Sequence, residues 1–288
     1  MSYVLITDSS ADLPWGYYKE HNLPFIPLTV TLGDSNFPDN GGMPPGEFFD
    51  RLRKGEVAST SMISMTSFTE VFEPYLKEGK DILYLGLSSG LSGSYDNACQ
   101  ARDELLESYP GREVYICNTF NVSLGLGLMV HEARVRRDEG LDFAGLRDWC
   151  EETKLNFIHL FTVDDLMFLH RGGRVSKASA VVGSLLGIKP MLHVSHEGRL
   201  INHGKVRGRR QSLTGLVDGM AAATDLKEFG MVTISHGDCE SDAVFVMEEN
   251  KKRFTVRNEI IHSLGTTIGA HSGPGTVALF FLGRERTE

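Results

Sequence analysis

Cysteine is scarce in this sequence, and the few cysteines lack the spacing of a metal site or a disulfide framework. They stand far apart, at Cys99, Cys117, Cys150 and Cys239. Zinc sites and disulfide-rich domains place cysteines in close, repeated pairs instead. His193 and His196 form a short HxxH motif, but this spacing directs the two rings to opposite faces of a strand. We therefore expect reduced, mostly buried thiols and no metal site.

Positive charge and long apolar runs are scarce as well. The chain carries 29 Lys and Arg against 38 Asp and Glu, a net charge of -9, which disfavours general attraction to nucleic acid or to anionic membranes. The apolar run Val277–Leu282 is far too short to span a bilayer, and the amino end has no basic region followed by an apolar stretch. We expect a cytoplasmic protein with no transmembrane segment and no nucleic-acid partner, while transient contact with a membrane surface stays open.

Motifs for nucleotide binding and for serine hydrolases are missing or incomplete. No GxxxxGK[ST] sequence occurs, and Gly125-Leu-Gly127 lacks the third glycine of a dinucleotide-binding turn. Gly90-Leu-Ser92-Gly-Ser94 has a serine where the nucleophile elbow GxSxG requires its last glycine. We therefore expect no ATP binding by the chain itself and no cofactor.

The first half of the chain alternates short apolar runs with helical patterns, which is typical of parallel strands joined by crossover helices. An apolar content of 41% over 288 residues is sufficient for a large core. The polar segment 33–46 predicts a loop, and residues 67–70 match a helix capping box. Predicted strands are 3–7, 25–32, 82–87 and 114–117, and predicted helices are 45–54, 67–76, 98–109 and 124–139.

The second half, from about residue 156, has more strand and hairpin signals. Segments 191–195 and 200–206 flank Glu197-Gly198, which predicts a β-hairpin. Further predicted strands are 157–163, 231–235, 255–261 and 276–282, and predicted helices are 176–186, 212–224 and 240–252. We predict two α/β domains. The first, residues 1–155, has a mainly parallel sheet flanked by helices, and the second, residues 156–288, has a mixed or antiparallel sheet and helices.

Residues 88–95 read SSGLSGSY and follow a predicted buried strand. This position, between a strand and a helix of an open parallel sheet, is where such sheets bind ligands and where free N–H groups favour an anion. A plain turn capped by Ser92 or Ser94 explains the same residues equally well. Both interpretations therefore stay open at this point.

Two other hydroxyl-rich segments precede this one in the chain. Residues 7–12, TDSSAD, follow the first predicted strand, and Asp12 is also a plain candidate for capping a helix. Residues 58–67, ASTSMISMTS, form a predicted loop that would bring Thr60 or Ser61 beside the serine-rich turn. Alone, each segment is compatible with an ordinary loop.

Three motifs in the second half combine glycine with charge. Residues 169–176, LHRGGRVS, match a helix that ends at two glycines, with arginines near its negative end. Residues 205–210, KVRGRR, form either a solvated basic face or a docking patch for phosphate or an acidic partner. Residues 265–275, GTTIGAHSGPG, predict a glycine-rich loop around His271.

Taken together and in this order, these segments resemble the DegV family of bacterial fatty acid-binding proteins. The resemblance runs nearly end to end, and no single motif carries it. It rests on ITDSSADLP near the start, Thr60-Ser61, SSGLSGSY, Gly125 and Gly127, RGGRVS, KPML from Lys189, KVRGRR and IGAHSGPG.

The resemblance implies a two-domain protein that encloses one long-chain fatty acid, with a lipid tunnel and a carboxylate site near the domain junction. It also implies a separate ATP-binding subunit of fatty acid kinase, which phosphorylates the presented carboxylate for phospholipid synthesis. The chain alone would then be a lipid-binding subunit without catalysis. The implied carboxylate ligands are Thr60, Ser61, Ser92, Gly93, His271 and Arg171. The residues implied in phosphate or partner docking are Arg174, Lys205, Arg207 and Arg209.

The sequence departs from the family pattern at two places. Met62-Ile63 stands where the family commonly has Gln-Pro, and Asn118 stands where an aspartate is usual. The first departure lies beside the implied carboxylate site. Chain length, unsaturation and the existence of a kinase partner are therefore not fixed by the resemblance.

Two other functions remain as alternatives. A serine hydrolase of lipid esters would use Ser92 as nucleophile and His271 as base, with Asp8 as a candidate orienting acid. A binder of another small anion, such as a sugar phosphate or nucleotide phosphate, also fits the polar turns. The hydrolase requires direct contact between the serine and the histidine.

Overall fold

The computed structural model describes residues 3–176 and 187–286. Its strands are β1 (Tyr3–Asp8), β2 (Phe25–Ile26), β3 (Thr29–Leu32), β4 (Ser35–Pro38), β5 (Ala58–Ser61), β6 (Asp81–Gly86), β7 (Val114–Asn118), β8 (Phe157–Thr162), β9 (Ile188–Val194), β10 (Leu200–Arg207), β11 (Glu228–His236), β12 (Thr255–Ser263) and β13 (Val277–Leu282). Its α-helices are α1 (Trp15–Glu20), α2 (Pro45–Arg53), α3 (Met65–Lys77), α4 (Ser94–Ser108), α5 (Leu124–Asp138), α6 (Phe143–Thr153), α7 (Met167–Arg171), α8 (Arg209–Ala223), α9 (Glu240–Lys251) and α10 (Thr266–Ser272). Short 3-10 turns occupy Ser9–Ala11 and Lys154–Asn156.

The strands form three sheets within the described residues. A parallel sheet has the order β2-β1-β6-β7, and an antiparallel sheet has the order β4-β3-β5. A mixed sheet has the order β10-β9-β8-β13-β11-β12 and is antiparallel except for the pair β11 and β12. The predicted α/β class, with a parallel and a mixed sheet flanked by helices, is confirmed. The division between residues 155 and 156 stays a prediction.

The parallel sheet places the serine-rich turn as the sequence predicts. Strand β6 is buried along almost its whole length, and it pairs with β1 in parallel through Thr7 and Leu85. The serine-rich turn follows at the carboxyl end of β6 and leads into α4 at Ser94. This edge of the sheet faces the cavity described below.

The predicted strand over residues 25–32 is wrong as a single element. Its first part, β2, pairs with β1 in the parallel sheet, and its second part, β3, pairs with β4 and β5 in the antiparallel sheet. Pro27 lies between the two parts. Because proline has no backbone N–H, it cannot continue a hydrogen-bonded ladder, and the chain changes sheets there.

Two segments predicted as loops contain strands. The loop predicted over residues 33–46 includes β4, which forms a hairpin with β3, and the segment 58–67 begins with β5 on the other side of β3. The capping box predicted over residues 67–70 is also wrong. Ser64 is the N-cap of α3, because its hydroxyl accepts a 3.1 Å hydrogen bond from the backbone N–H of Ser67. The helix therefore begins before the predicted box.

The glycine-rich loop predicted around His271 is helix α10 instead. Gly265 precedes the helix, and Gly273, with φ of 76° and ψ of 173°, ends it in a conformation that favours glycine. Gly269 lies inside the helix, where a methyl group would come within 2.9 Å of the Phe49 ring. The glycines thus end the helix and allow α2 to pack closely against it.

Other helices were missed or cannot be assessed. Helices α1 and α6 have no predicted counterpart, because α1 is short and α6 carries few strongly apolar positions. The helix predicted over residues 176–186 lies, except for its first residue, outside the described residues. The remaining predicted strands and helices agree with the structure to within a few residues at each end.

Candidate ligand-binding site

A cavity of about 220 Å³ is lined by the mixed sheet, the three-stranded sheet and the turn after β6. Its walls are mostly apolar, which suits a hydrocarbon ligand more than a sugar. The mixed sheet provides the apolar floor. The floor residues are Phe161, Val194, Leu200, Ala278 and Phe280.

The residues of β13 that line the cavity show the direction in which the cavity extends. On β13, Phe280 lies opposite His159 of β8, and both line the cavity. Ala278 and Thr276 follow on the same face toward α10, where the Thr276 hydroxyl donates to the carbonyl of Ser272 at 2.9 Å. The four residue steps from Thr276, just before β13, to Phe280 span roughly 13 Å of extended chain. The cavity therefore extends from α10 to the His159 and Phe280 row.

Polar groups gather at the α10 end of the cavity. Thr60 on β5 and His271 on α10 are joined by a 2.7 Å hydrogen bond between Oγ1 and Nε2. Ser61, Ser92 and Gly93 line the same cavity. The structure thus brings together all of the predicted carboxylate ligands except Arg171.

His271 is neutral at neutral pH. Burial, and secondly the charge of Arg174, lowers the pKa of its imidazole to about 4. Its Nδ1 faces the backbone of Gly172, where a methyl group would lie only 2.1 Å away. In the tautomer with hydrogen on Nε2, the ring donates to Thr60 and leaves the Thr60 hydroxyl hydrogen free for a ligand.

Ser92 is hydrogen-bonded to Ser94, and no hydrogen bond joins it to His271 among the described residues. The two serine Oγ atoms are 3.0 Å apart, and the Ser94 backbone N–H donates to Ser92 Oγ at 3.2 Å. Asp8, the candidate orienting acid, accepts hydrogen bonds from the Tyr84 hydroxyl and from backbone N–H groups of the neighbouring turns. The contacts that the hydrolase hypothesis requires are not formed in this part of the chain.

The two arginines of the RGGR motif differ from their expected places. Arg171 is exposed, and its guanidinium group stacks on the ring of Phe168 at 4.6 Å from the centroid. Arg174 lines the cavity instead. Its guanidinium donates to the carbonyl of Leu91 at 3.0 and 3.2 Å and to the carbonyl of Gly172. Arg171 is thus not among the described lining residues of the cavity, whereas Arg174 is.

The two glycines between these arginines explain why Arg174, and not Arg171, lines the cavity. Helix α7 ends at Arg171, and Gly173 has φ of 74°, which reverses the chain and turns Arg174 toward the cavity. Burial lowers the pKa of the Arg174 guanidinium. No carboxylate pairs with Arg174 in the described part of the chain. The double glycine indicates a reversal of the chain here, but it does not indicate which of the two arginines reaches the cavity.

The predicted docking cluster is divided in the structure. Lys205 and Arg207 are exposed on the same face of the edge strand β10. Arg209 instead forms hydrogen-bonded ion pairs with Asp242 at 2.8 Å and with Asp164 at 3.3 Å. Its charge is thus neutralised locally, unlike the charges on the strand.

The first hydroxyl-rich segment, residues 7–12, contributes no side chain to the described lining of this cavity. It acts on the cavity through Asp12, whose carboxylate is 2.6 Å from the hydroxyl of the lining residue Ser123. Ser123 has φ of 56° and ψ of -151°, a conformation that is rare for residues other than glycine. No sequence pattern indicates this role for Ser123.

Residues 3–176 and 187–286 contain neither a cluster of metal ligands nor a helix that could span a membrane. No group of three or more His, Cys, Asp or Glu side chains is arranged to hold a metal ion. No helix in these ranges is both long and apolar enough to cross a membrane.

Comparison with known proteins identifies the family. A family model described as an uncharacterised protein of the DegV family matches residues 2–284. The chain belongs to the DegV family. A DegV domain-containing protein of Clostridium perfringens is 39% identical over 283 residues, which cover 98% of this chain and 97% of the relative. A fatty acid-binding protein of Thermotoga maritima is 32% identical over 283 residues, which cover 96% of each.

Solved DegV structures share the fold over almost the whole chain. A DegV family protein from Thermus thermophilus, described as fatty acid binding, has a TM-score of 0.89 and 30% sequence identity and covers 98% of this chain and 100% of its own. A DegV lipid binding protein from Thermotoga maritima has a TM-score of 0.86 and 31% identity, with full coverage of both chains. These similarities confirm the fold class predicted from the sequence.

Proposed function

We propose that this DegV family protein binds one long-chain fatty acid, with the carboxylate at the α10 end of the cavity and the acyl chain along its apolar floor. The observation that carries the proposal is Arg174, a half-buried cation in a mostly apolar cavity without a carboxylate partner among the described residues. A buried charge is stabilised when an anion and hydrogen-bond partners compensate it. A fatty acid supplies that anion and fills the apolar remainder.

The carboxylate site would combine one permanent charge with neutral donors. Thr60 and Ser92 would donate their hydroxyl hydrogens, and His271 would orient Thr60. Arg174 would provide the positive charge. Charge-assisted hydrogen bonds of this kind are about twice as strong as neutral ones. Ser61 and Gly93 would border the carboxylate rather than hold it.

The acyl chain would supply most of the affinity. At about 0.8 kcal/mol for each buried methylene, a chain of roughly 15 methylenes would contribute on the order of 12 kcal/mol before ordering costs are subtracted. The fatty acid binding described for the relatives from Thermus thermophilus and Thermotoga maritima supports the same ligand class. We expect the lipid to remain bound through purification.

We further propose that the protein presents the carboxylate to a separate ATP-binding kinase subunit in the cytoplasm. The sequence has no GxxxxGK[ST] motif, so the phosphoryl donor would have to come from a partner. Ser61 and Met62 line the cavity and are exposed, which leaves its polar end near the surface. Lys205 and Arg207 are candidates for contacting that partner.

Native mass spectrometry of the purified protein, followed by denaturing lipid extraction, tests the ligand. We expect a stoichiometric fatty acid adduct whose mass gives the chain length and unsaturation. An unchanged mass after incubation of delipidated protein with palmitate and with oleate would contradict the proposal.

The kinase role requires a separate assay. The loaded protein is incubated with ATP and an ATP-binding fatty acid kinase subunit from the same cell, and acyl phosphate is trapped with hydroxylamine. Acyl hydroxamate that forms only when both proteins are present supports presentation. Fatty acid binding without any hydroxamate would remove the kinase role and keep the carrier role.

A further inference from the structure

Two buried carboxylates meet outside the proposed carboxylate site, at the start of α10. Asp12 and Asp39 are 3% and 1% exposed. They follow β1 and β4, and both reach Gly265, the residue before α10. A methyl group on Gly265 would lie 2.6 Å from Oδ1 of Asp12 and 3.0 Å from Oδ1 of Asp39. The distance between these two Oδ1 atoms therefore cannot exceed the sum of the two distances.

Asp39 holds the first turn of α10. Its Oδ1 accepts hydrogen bonds from the Thr266 hydroxyl at 2.8 Å and from the Thr267 backbone N–H at 3.1 Å. Its Oδ2 is buried and has no hydrogen-bond partner among the described residues. Because α10 carries Thr267 and His271 to the cavity, Asp39 fixes one cavity wall.

Asp12 holds the opposite wall as well as the start of α10. Its Oδ1 accepts from the Gly265 backbone N–H at 3.0 Å, and its Oδ2 is 2.6 Å from the Ser123 hydroxyl. The Ser123 hydroxyl is also 2.8 Å from the hydroxyl of Ser235. Asp12 thereby helps to keep the strained lining residue Ser123 in place.

The charges around this pair do not compensate two carboxylates. No lysine or arginine forms an ion pair with Asp12 or Asp39 in the described part of the chain. The other titratable groups near Asp12 are Asp8, Tyr18 and His262, whose Nδ1 is 3.1 Å from the Asp12 carbonyl oxygen. None of the three supplies a permanent positive charge. Two adjacent buried carboxylates without a cation cannot both be ionised at low cost.

We propose that Asp12 and Asp39 together bind only one proton, and that Asp12 carries it. The resulting pair of one neutral and one charged carboxyl group positions Ser123 and α10, which form two walls of the ligand cavity. The proposal rests on the proposed fatty acid function only for its binding measurement. Both aspartates are positioning residues, because they touch the cavity walls and not the ligand.

The surroundings of Asp12 allow it to be the neutral member of the pair. Asp39 accepts two hydrogen bonds at the start of α10. Asp12 lies next to the hydroxyl of Ser123, which in turn contacts the hydroxyl of Ser235, and each hydroxyl can both donate and accept. A protonated Asp12 can donate to Ser123, which then donates to Ser235, so that every group in this chain of contacts is satisfied. Burial, followed by the charge of Asp39, raises the pKa of Asp12 well above its usual range.

The sign of the pH effect follows from this arrangement. In the unfolded chain an aspartate loses its proton above about pH 4, whereas the folded Asp12 keeps it to higher pH. Unfolding therefore releases one proton in that interval, and the contribution of Asp12 to stability falls as pH rises. The corresponding change in the unfolding equilibrium constant is tenfold per pH unit for one proton.

Three variants of the full chain test the proposal, namely Asp12→Asn, Asp12→Ala and Asp39→Asn, with Asp225→Asn as an exposed control. Asp225 is suitable because its side chain is 86% exposed. Urea unfolding is measured at a series of pH values, and fatty acid affinity is measured at pH 7 on delipidated protein. Infrared spectroscopy monitors the carbonyl band of a protonated buried carboxylic acid.

We expect Asp12→Asn to remove the one-proton slope and the infrared band, and to bind fatty acid within about threefold of the wild type. Asp12→Ala should weaken binding about tenfold, because Ser123 and Gly265 lose their partner. Asp39→Asn should lower the pH at which Asp12 ionises, because the neighbouring negative charge is gone. The control should match the wild type in all measurements.

The opposite results overturn the proposal. An Asp12→Asn profile parallel to that of the wild type would exclude the shared proton. Loss of binding in Asp12→Asn equal to that in Asp12→Ala would show that a charge at Asp12 is required. If wild-type protein binds no fatty acid but Asp12→Asn still removes the slope, the proposed function fails and the proton pair stands.

Discussion

Thr60 and His271 lie 211 positions apart in the chain, and their side chains are joined by a 2.7 Å hydrogen bond. Thr60 belongs to the small antiparallel sheet, and His271 belongs to α10, which packs against strand β5 of that sheet. The polar end of the cavity therefore exists only when these two distant elements are packed together.

Replacing His271 by glutamine should reduce the loss of stability in acid. The pKa of His271 is lowered from 6.5 to about 4 by burial and then by the charge of Arg174. Between these values the unfolded chain binds a proton that the folded chain does not, so stability is lost as pH falls from about 7 to 4. The linked contribution is up to about 3 kcal/mol. Urea unfolding of delipidated wild type and His271→Gln at several pH values measures it, and identical profiles would contradict the neutral imidazole.

Arg174 and Arg171 form a matched pair for testing the ligand charge. Arg174→Gln should weaken fatty acid binding by about 10- to 100-fold, because a hydrogen bond to a charged group contributes about 1.5–3 kcal/mol. Arg171→Gln should change affinity by less than about threefold, since its side chain is exposed and stacks on Phe168. Titration with a fluorescent fatty acid measures both. Equal effects in the two variants would refute the assignment of the charge to Arg174.

Gly172 should be intolerant of even a methyl group. An alanine Cβ there would lie 2.1 Å from Nδ1 of His271, so the imidazole ring must move and its bond to Thr60 is strained. We expect Gly172→Ala to weaken fatty acid binding about tenfold without removing any polar atom from the site. Gly230→Ala is the control, because nothing lies within 4 Å of its added methyl group. Unchanged affinity in Gly172→Ala would show that the position of His271 is unimportant.

Within the basic cluster, Lys205 and Arg207 should act in docking, whereas Arg209 should act in stability. Lys205→Glu combined with Arg207→Glu should lower kinase-dependent acyl phosphate formation at least about tenfold and leave fatty acid binding intact, because both charges are exposed. Arg209→Glu should instead lower thermal stability, since it places a third negative charge beside Asp164 and Asp242. The hydroxamate assay and thermal unfolding distinguish the two effects. Normal acyl phosphate formation by the double variant would remove docking from this strand.

The sequence pattern predicts most of the two larger sheets because their signals are local. Buried strands such as β6 are continuous apolar runs, and the β9 and β10 hairpin has alternating positions around Glu197-Gly198. The serine-rich turn is likewise located by its strand and helix neighbours. These elements depend little on which distant segment packs against them.

The small antiparallel sheet and α10 could not be predicted for the opposite reason. Strands β4 and β5 are short and mostly polar, and they are stabilised by pairing with β3. Helix α10 lies within a glycine-rich segment, and it is held by Asp39 and by the rings of α2. The sequence predicts Arg174 in docking and not in the cavity, because the RGGRVS motif does not show which arginine the double glycine turns inward.

The cavity wall is built from both halves of the chain, with Leu28, Thr60 and Leu87 on one side and Phe161 and Phe280 on the other. A ligand that binds only this folded arrangement stabilises it by mass action, by about 2.7 kcal/mol when its free concentration is 100 times Kd. Proteases that attack the opened chain would then degrade the empty form faster than the loaded form. The lifetime of the protein in the cell would thus increase with the concentration of its ligand.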